Sequence, residues 1–424
     1  MRAESPYNFL RNRNIRVLIL CRIIWGLSQS LFTPYFSLFA LAQEGVTPEL
    51  LGIIVSAKAI GMAILAPPAG YLADSIGRRR MIVAGTLLHS ASYLFYLAAT
   101  DYRMILLGSL IEGLSIIHFP ALQAITQDSL SRDRRGLGIS ATTGLQALPQ
   151  LISPFIGGIL AESLGIDMGM RIGFALAFGA GLLVAFIRFK YLQETLPEGD
   201  ADEEHASLLE LLEDAYFSLF RIFKKYRSLR GLVILAFFDT FFGSITAPFW
   251  IVYAETFIGL SPVEWGMAEI TASAVSIGVL LFSGRLTDRY GSKRVIFLNL
   301  LAAPVINISF IYCQDFSQVL IFRILIAIQN AFMMPAASAL LANTVSREER
   351  GKTIAAIGWQ PIVISLGAVS HGFLRFPAYF AGSFLSGYIY EADPHYPWFL
   401  LAGSYVLMSA ICLFLIEQPE KIMD

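Results

Sequence analysis

Charge is what this chain is short of. Only 15% of its 424 residues are Asp, Glu, Lys or Arg, against roughly 25% in ordinary soluble domains. Hydrophobic residues make up 56% and the mean hydropathy is +0.62. A soluble protein of this size needs far more polar surface, so that class is excluded. Cysteine is scarce too. Cys21, Cys313 and Cys412 are scattered and odd in number, which excludes a disulfide framework and a cysteine metal centre; they read as small packing residues. The histidines number five, and none lies beside a second candidate ligand. No H-E-x-x-H, nucleophile elbow or phosphate loop is present, so no enzyme, cofactor or metal is expected. The formal net charge of −1 says little about partners, and no nucleic acid is expected among them. Met1 to Asn14 is polar and basic, and the apolar run behind it is too long for a signal-peptide core.

What is there is a segment written twice. Gly70-Tyr71-Leu72-Ala73-Asp74-Ser75-Ile76-Gly77-Arg78-Arg79-Arg80 returns as Gly284-Arg285-Leu286-Thr287-Asp288-Arg289-Tyr290-Gly291-Ser292-Lys293-Arg294. Gly45, Pro48 and Gly52 match Gly259, Pro262 and Gly266 at the same offset, and Pro34 matches Pro248. Pro120 and Ser131-Arg132…Arg135-Gly136 match Pro335 and Ser346-Arg347…Arg350-Gly351, one residue further on. An offset held over half a chain means duplication and two similar halves.

A spanning helix needs about 20 mostly apolar residues. Spans are predicted near 15–41, 49–73, 80–99, 103–127, 137–162 and 171–192, then near 230–256, 263–287, 293–313, 316–343, 353–390 and 397–416. The chain therefore reads as an all-α polytopic membrane protein with twelve transmembrane helices in two pseudo-symmetric halves, 1–192 and 230–424. The loops after the even-numbered spans carry Arg78–Arg80, Arg132/Arg134/Arg135, Arg221–Arg230, Arg289/Lys293/Arg294 and Arg347/Arg350/Lys352. The positive-inside rule puts these loops and both termini in the cytoplasm. The linker 193–229 holds an acidic stretch, Glu198 to Glu204, and an amphipathic pattern from Ala206 to Tyr226 suited to the membrane interface. The stretch after Arg350 is longer than its counterpart by more than a dozen residues and is interrupted by Pro361, Gly372, Pro377 and Gly382. The eleventh span is thus either broken or preceded by an extra helical turn, with His371 and Arg375 on one cavity-facing side.

The doubled loop, Gly then Asp four positions on, then Gly and a basic run, resembles the hallmark cytoplasmic loop of the major facilitator superfamily of secondary transporters. With the repeat, the resemblance covers nearly the whole chain. It implies alternating access, a central cavity from which every third helix is excluded, a cell (plasma or inner) membrane location and a monomer. In the fifth span, Ser153-Pro154-Phe155-Ile156-Gly157-Gly158 resembles the Gly-Pro-x-x-Gly-Gly element of the drug and metabolite antiporter branch, with Ser in place of the first Gly. The fourth-span arginine of proton-coupled exporters would fall near Ser109 and is missing, which moves its role to Glu112 or puts that relay in doubt.

Asp74 and Asp288 close helices at the end where a carboxylate opposes the helix dipole. A neighbouring Arg or a helix N-terminus of the other half must offset them. Gly70, Asp74, Gly77 and Arg78, with Gly284, Asp288, Gly291 and Arg294, are therefore read as a conformational latch, the glycines serving close helix contact and a tight turn. A loop that only sets orientation is the plainer alternative.

Ionisable groups inside a membrane cost a few kcal/mol each. The third, sixth, ninth and twelfth spans are read as free of them in their interiors. Arg22, Glu112, Asp239 and Arg323 fall in the first, fourth, seventh and tenth, and Lys58 and Glu269 in the second and eighth. Asp239, in Ala236-Phe237-Phe238-Asp239-Thr240-Phe241-Phe242, is the first candidate to bind and release a proton, and Glu112 the second. The alternative is a permanent buried pair with a base such as Arg22, Lys58 or Arg323. Gln29, His118, Gln123, Gln146, Gln150, Gln329 and Asn330 are possible cavity contacts or interhelical hydrogen bonds. Phe237, Phe238, Phe241, Phe242, Phe249 and Trp250 form either a pocket for a flat substrate or plain core. The reading is a secondary active transporter of a small organic solute, proton-coupled and exporting. The alternatives are an uptake symporter, or an organic-anion exchanger using the basic residues.

Overall fold

The computed structural model of the chain describes residues 11–130, 151–196, 224–358, 362 and 372–417. Among these there is no β-strand. Among the described residues, nine helices are long and apolar enough to cross a membrane. They are α1 (Arg13–Leu41), α2 (Pro48–Ile76), α4 (Tyr102–Asp128), α6 (Ile166–Tyr191), α7 (Arg227–Ile258), α8 (Pro262–Tyr290), α9 (Ser292–Tyr312), α10 (Phe316–Thr344) and α12 (Tyr396–Leu415). Three more complete the twelve: α3 (Arg78–Leu97), α5 (described over Leu151–Leu164) and α11 (Phe376–Ala392). The amphipathic stretch from Ala206 lies outside the described residues up to 223.

The sequence repeat is a repeat of backbone events. α1 tightens into a 3-10 turn at Thr33–Tyr35, where Pro34 stands, and α7 does so at Ala247–Phe249, where Pro248 stands. Asp101 caps α4 by accepting from the amide of Arg103 at 2.9 Å. Its counterpart Asp315 caps α10 by accepting from the amide of Gln318 at 3.0 Å. α8 opens with Pro262 behind a Ser261–Glu264 capping box, so its first orphan amides are satisfied.

Contacts divide the chain into two compact units. One comprises Met1–Gly45 with Ile60–Leu211, and the other Val46–Ala59 with Leu212–Asp424. The start of α2 therefore packs with the second unit. A Cβ at Gly52 would lie 2.8 Å from the Ser383 carbonyl oxygen and 2.9 Å from the Gly387 nitrogen. In the first unit, fully buried Phe39 meets Phe174 edge to face, and fully buried Tyr96 packs on Phe174 at a tilt. In the second, Trp250, Phe310, Phe322 and Trp398 form the core, with ring centroids 4.7–5.5 Å apart. Phe249 is stacked on Tyr390 at 4.0 Å and Phe237 is 44% exposed. Of the aromatic group offered as a pocket, Phe249 and Trp250 are thus core.

The eleventh span is broken. The short helix Arg347–Ile357 stops at Gly358, whose φ is +90°. The chain returns at Gly372, which packs directly on the backbone of Ile357 and Gly358. A 3-10 turn, Phe373–Arg375, then leads into α11. His371 and Pro361 lie outside the described residues.

Both copies of the doubled loop turn on a glycine in the left-handed half of φ space, Gly77 at +104° and Gly291 at +86°. By contrast, among the described residues a Cβ built at Gly70 or Gly284 meets nothing within 4 Å outside its own helix. The turn is where the described backbone requires glycine. Gly77→Ala and Gly291→Ala should each cost about 1–3 kcal/mol and lower the thermal unfolding midpoint of the purified protein. Gly70→Ala and Gly284→Ala, in helix interiors, should leave it unchanged or raise it.

Candidate functional site

In the second unit, α7 carries Asp239 into the interior, where its side chain is 2% exposed. It meets Arg375, also 2% exposed, at 3.3 Å. Arg375 Nε donates to Thr240 Oγ1 at 2.5 Å, and that hydroxyl donates onward to the Ala236 carbonyl at 2.7 Å. Arg375 reaches this place because the break in the eleventh span puts it in the turn just before α11. A permanent pair with a base was the alternative foreseen for Asp239, with Arg22, Lys58 and Arg323 as examples; Arg375 was named only as cavity-facing. Arg323 instead forms an ion pair with Glu269 and lies over the Trp265 ring at 5.3 Å. Buried Gln329 donates to the Asn299 carbonyl at 3.2 Å, and Asn330 beside it is half-buried.

In the first unit, α4 carries Glu112. One carboxylate oxygen accepts from Tyr96 OH at 2.8 Å, and the other lies 3.8 Å from His89 Nε2. Both partners come from α3. His89 also stacks edge-on against Trp25 at 4.8 Å, and Trp25 Nε1 donates to Gln29 at 3.1 Å. His118 is bonded to the Ser115 carbonyl. Gln123 is exposed, Lys58 is half-buried, and Gln146 and Gln150 lie outside the described residues.

The third span is not free of ionisable groups, contrary to the sequence expectation, and a buried arginine stands in the last turn of the sixth. α3 holds His89. α6 holds Arg188, 4% exposed, which donates to Thr86 Oγ1 at 2.5 Å. A signal for His89 was present. Thr86, His89, Ser90, Tyr93 and Tyr96 recur at helical spacing and mark a polar stripe on a supposedly lipid-facing helix. Arg188 sits in the last turn of its span, where a basic residue reads as a cytoplasmic end.

At the doubled loop, Asp74 is offset by a neighbour. Arg78 Nε donates to it at 3.2 Å and Arg78 also pairs with Asp128. Glu194 accepts from the Arg79 amide at 2.9 Å and so caps the start of α3. The second copy is open. Asp288 and Arg294 are exposed, and among the described residues Asp288 forms no ion pair. In the antiporter-like element, Gly157 seats against the Leu31 carbonyl, and Tyr35 OH donates to the Pro154 carbonyl at 2.6 Å. Gly158, beside Gly157, is buried, and the element fastens α5 to the bend of α1. At the second unit's loops, hydrogen bonds from Tyr226, Ser346 and Lys225 hold the Glu349 carboxyl below its ordinary range.

Removing one member of a buried pair leaves the other charge uncompensated, which costs about 3–5 kcal/mol. Asp239→Ala and Arg375→Ala should each lower the unfolding midpoint strongly. The double variant Asp239→Ala with Arg375→Ala should cost well under the sum of the two, a non-additivity that the double-mutant cycle reads directly.

Comparison with known proteins follows the duplication. The family model of the Major Facilitator Superfamily matches residues 18–252 and again 232–423. The chain is 26% identical over 379 residues to "Multidrug resistance protein 2" of Bacillus subtilis, covering 88% of this chain and 87% of that protein. It is 25% identical over 396 residues to the "Multi-drug resistance efflux pump PmrA homolog" of Lactococcus lactis, covering 92% and 91%. Among solved structures, a D-xylose-proton symporter superposes with a TM-score of 0.71 at 14% identity, over 96% of this chain and 98% of that one. Twelve helices, a doubled loop and two family matches in one chain lead to one conclusion: the protein belongs to the major facilitator superfamily of membrane transporters.

Proposed function

We propose that this transporter exports small organic molecules through the cell membrane in exchange for protons. It works as a monomer by alternating access, with both termini in the cytoplasm. The observation that carries the reading is the Asp239–Arg375 pair. A carboxylate so deep in an apolar helix must be neutralised, either by a guanidinium or by a proton. These are two distinct states of one site. With the pair intact, Arg375 ties the turn before α11 to α7. With a proton on Asp239, Arg375 loses its counter-charge and is better placed next to water or an anionic group, which favours a hydrated cavity. A site whose packing depends on its proton is what exchange requires.

Direction is supported by the relatives, whose names are those of multidrug resistance and efflux proteins, and by the packed Pro154–Gly158 element. The loop arginines support the orientation. An organic-anion exchanger is supported less, because Glu269 already neutralises Arg323.

The test uses liposomes holding a pH-sensitive dye, a panel of lipophilic organic cations and neutral drugs, and an imposed pH gradient. Wild type should move protons with at least one compound. Asp239→Asn should lose that proton movement while still exchanging the labelled compound across the membrane. Equal proton movement in both would remove Asp239 from the coupling. A compound carried by the wild type without protons would remove proton exchange itself.

A further inference from the structure

α6 ends among cations. Arg13 of α1 donates to the Lys190 carbonyl at 3.5 Å, and Arg79 of α3 donates to the Phe189 carbonyl. Both arginines thus answer carbonyls that the last turn of a helix leaves without partners. The other half of the chain shows how little charge such capping needs. There Arg227 of α7 donates to the Phe414 carbonyl at 3.0 Å, at the end of α12, and its charge is met by Glu417 at 3.5 Å. The first unit differs in its excess of charge. Arg13, Arg16 and Lys190 are exposed, and among the described residues they form no ion pair. The described acids at this end are engaged elsewhere: Asp74 and Asp128 on Arg78, and Glu194 on the amides of Arg79, Thr195 and Leu196. Arg13 and Lys190 also lie against one ring, the Tyr191 centroid being 5.8 Å from the guanidinium carbon and 5.3 Å from Nζ. Two cations sharing a ring repel each other, and one anion beside them relieves both.

Apolar side chains continue each helix face away from this basic end. On α6, Phe186 is exposed one turn from Lys190, and Leu183 is exposed one turn further; the Lys190 ammonium stands 5.8 Å from the Phe186 ring. On α1, Leu20 is exposed one turn from Arg16. The two helices pack on each other, with Phe32 and Phe174 4.8 Å apart. A cluster of cations that gives way to outward hydrocarbon matches a ligand with an anionic head and apolar tails. We propose that this rim of α1 and α6 binds an anionic phospholipid, its phosphodiester among Arg13, Arg16 and Lys190 and its acyl chains along Leu20 and Phe186. The inference rests on the membrane fold and not on the proton-exchange reading.

The test takes the full chain, purified in detergent and stripped of lipid. It is titrated by native mass spectrometry with phosphatidylglycerol, with phosphatidylcholine of the same chains, and with inorganic phosphate. Each basic side chain beside an anionic headgroup is worth about fivefold in binding. The wild type should therefore bind its first phosphatidylglycerol about tenfold or more tighter than phosphatidylcholine, and phosphate should not bind over the same range. Arg13→Gln, Arg16→Gln and Lys190→Gln together should abolish that preference. Arg16→Gln with Lys190→Gln, which leaves the Arg13 cap on α6 in place, carries the same expectation should the triple variant fail to fold. Lys224→Gln, Arg227→Gln and Arg230→Gln together remove equal charge from the second unit and should leave the preference intact. The proposal is overturned by a wild type without the preference, or by a preference that survives the rim variants. It is overturned equally by a preference that falls as far in the second-unit variant, or by phosphate bound as tightly as phosphatidylglycerol.

Discussion

Inside a medium that solvates charge poorly, no ionised side chain stands alone, and most of the interior of this protein follows from that constraint. Asp239 meets Arg375, Glu269 meets Arg323, and Glu112 meets a phenol and an imidazole. Each solution ties two helices together at a chosen depth. The aromatic clusters then fill the remaining volume: Phe39, Tyr96 and Phe174 in one unit, Trp250, Phe310, Phe322 and Trp398 in the other. Charge decides which helices must be neighbours at mid-depth, and packing decides how closely they approach.

The halves share their backbone instructions and differ in their buried chemistry. Proline-induced bends, helix caps and the glycine turn of the doubled loop recur in both. Those features are about entering and leaving the bilayer, a problem common to both halves. Among the described contacts, the acid of the first half meets a phenol and an imidazole, and the two acids of the second half meet guanidinium groups.

Much of the fold was legible in the sequence because spans are written in hydropathy and turns in glycine and proline. The predicted 49–73 became Pro48–Ile76, and 316–343 became Phe316–Thr344. The partners of the acids were not legible. Asp239 and Arg375 are far apart in the chain, and no periodicity links them. Arg375 was noticed only for its spacing from His371, whereas its position follows from the break at Gly358. Arg188 was overlooked because basic residues at span ends normally reach for water, and here one turns inward to Thr86. At Gly70 and Gly284 the repeated glycine suggested close packing, and among the described residues the space beside them is open. Repetition identifies a constrained position without saying which force constrains it.

The return of the chain at Gly372, against the backbone it left at Gly358, has a consequence for how this half can change over time. The helix Arg347–Ile357 ends at Gly358, so α11 begins at Phe376 without inheriting its rotational register. Within α7 or α10, by contrast, one added residue rotates every side chain beyond it by about 100°. The duplicate halves could therefore come to differ in length between the Arg347–Ile357 helix and α11 while the register of each stayed fixed.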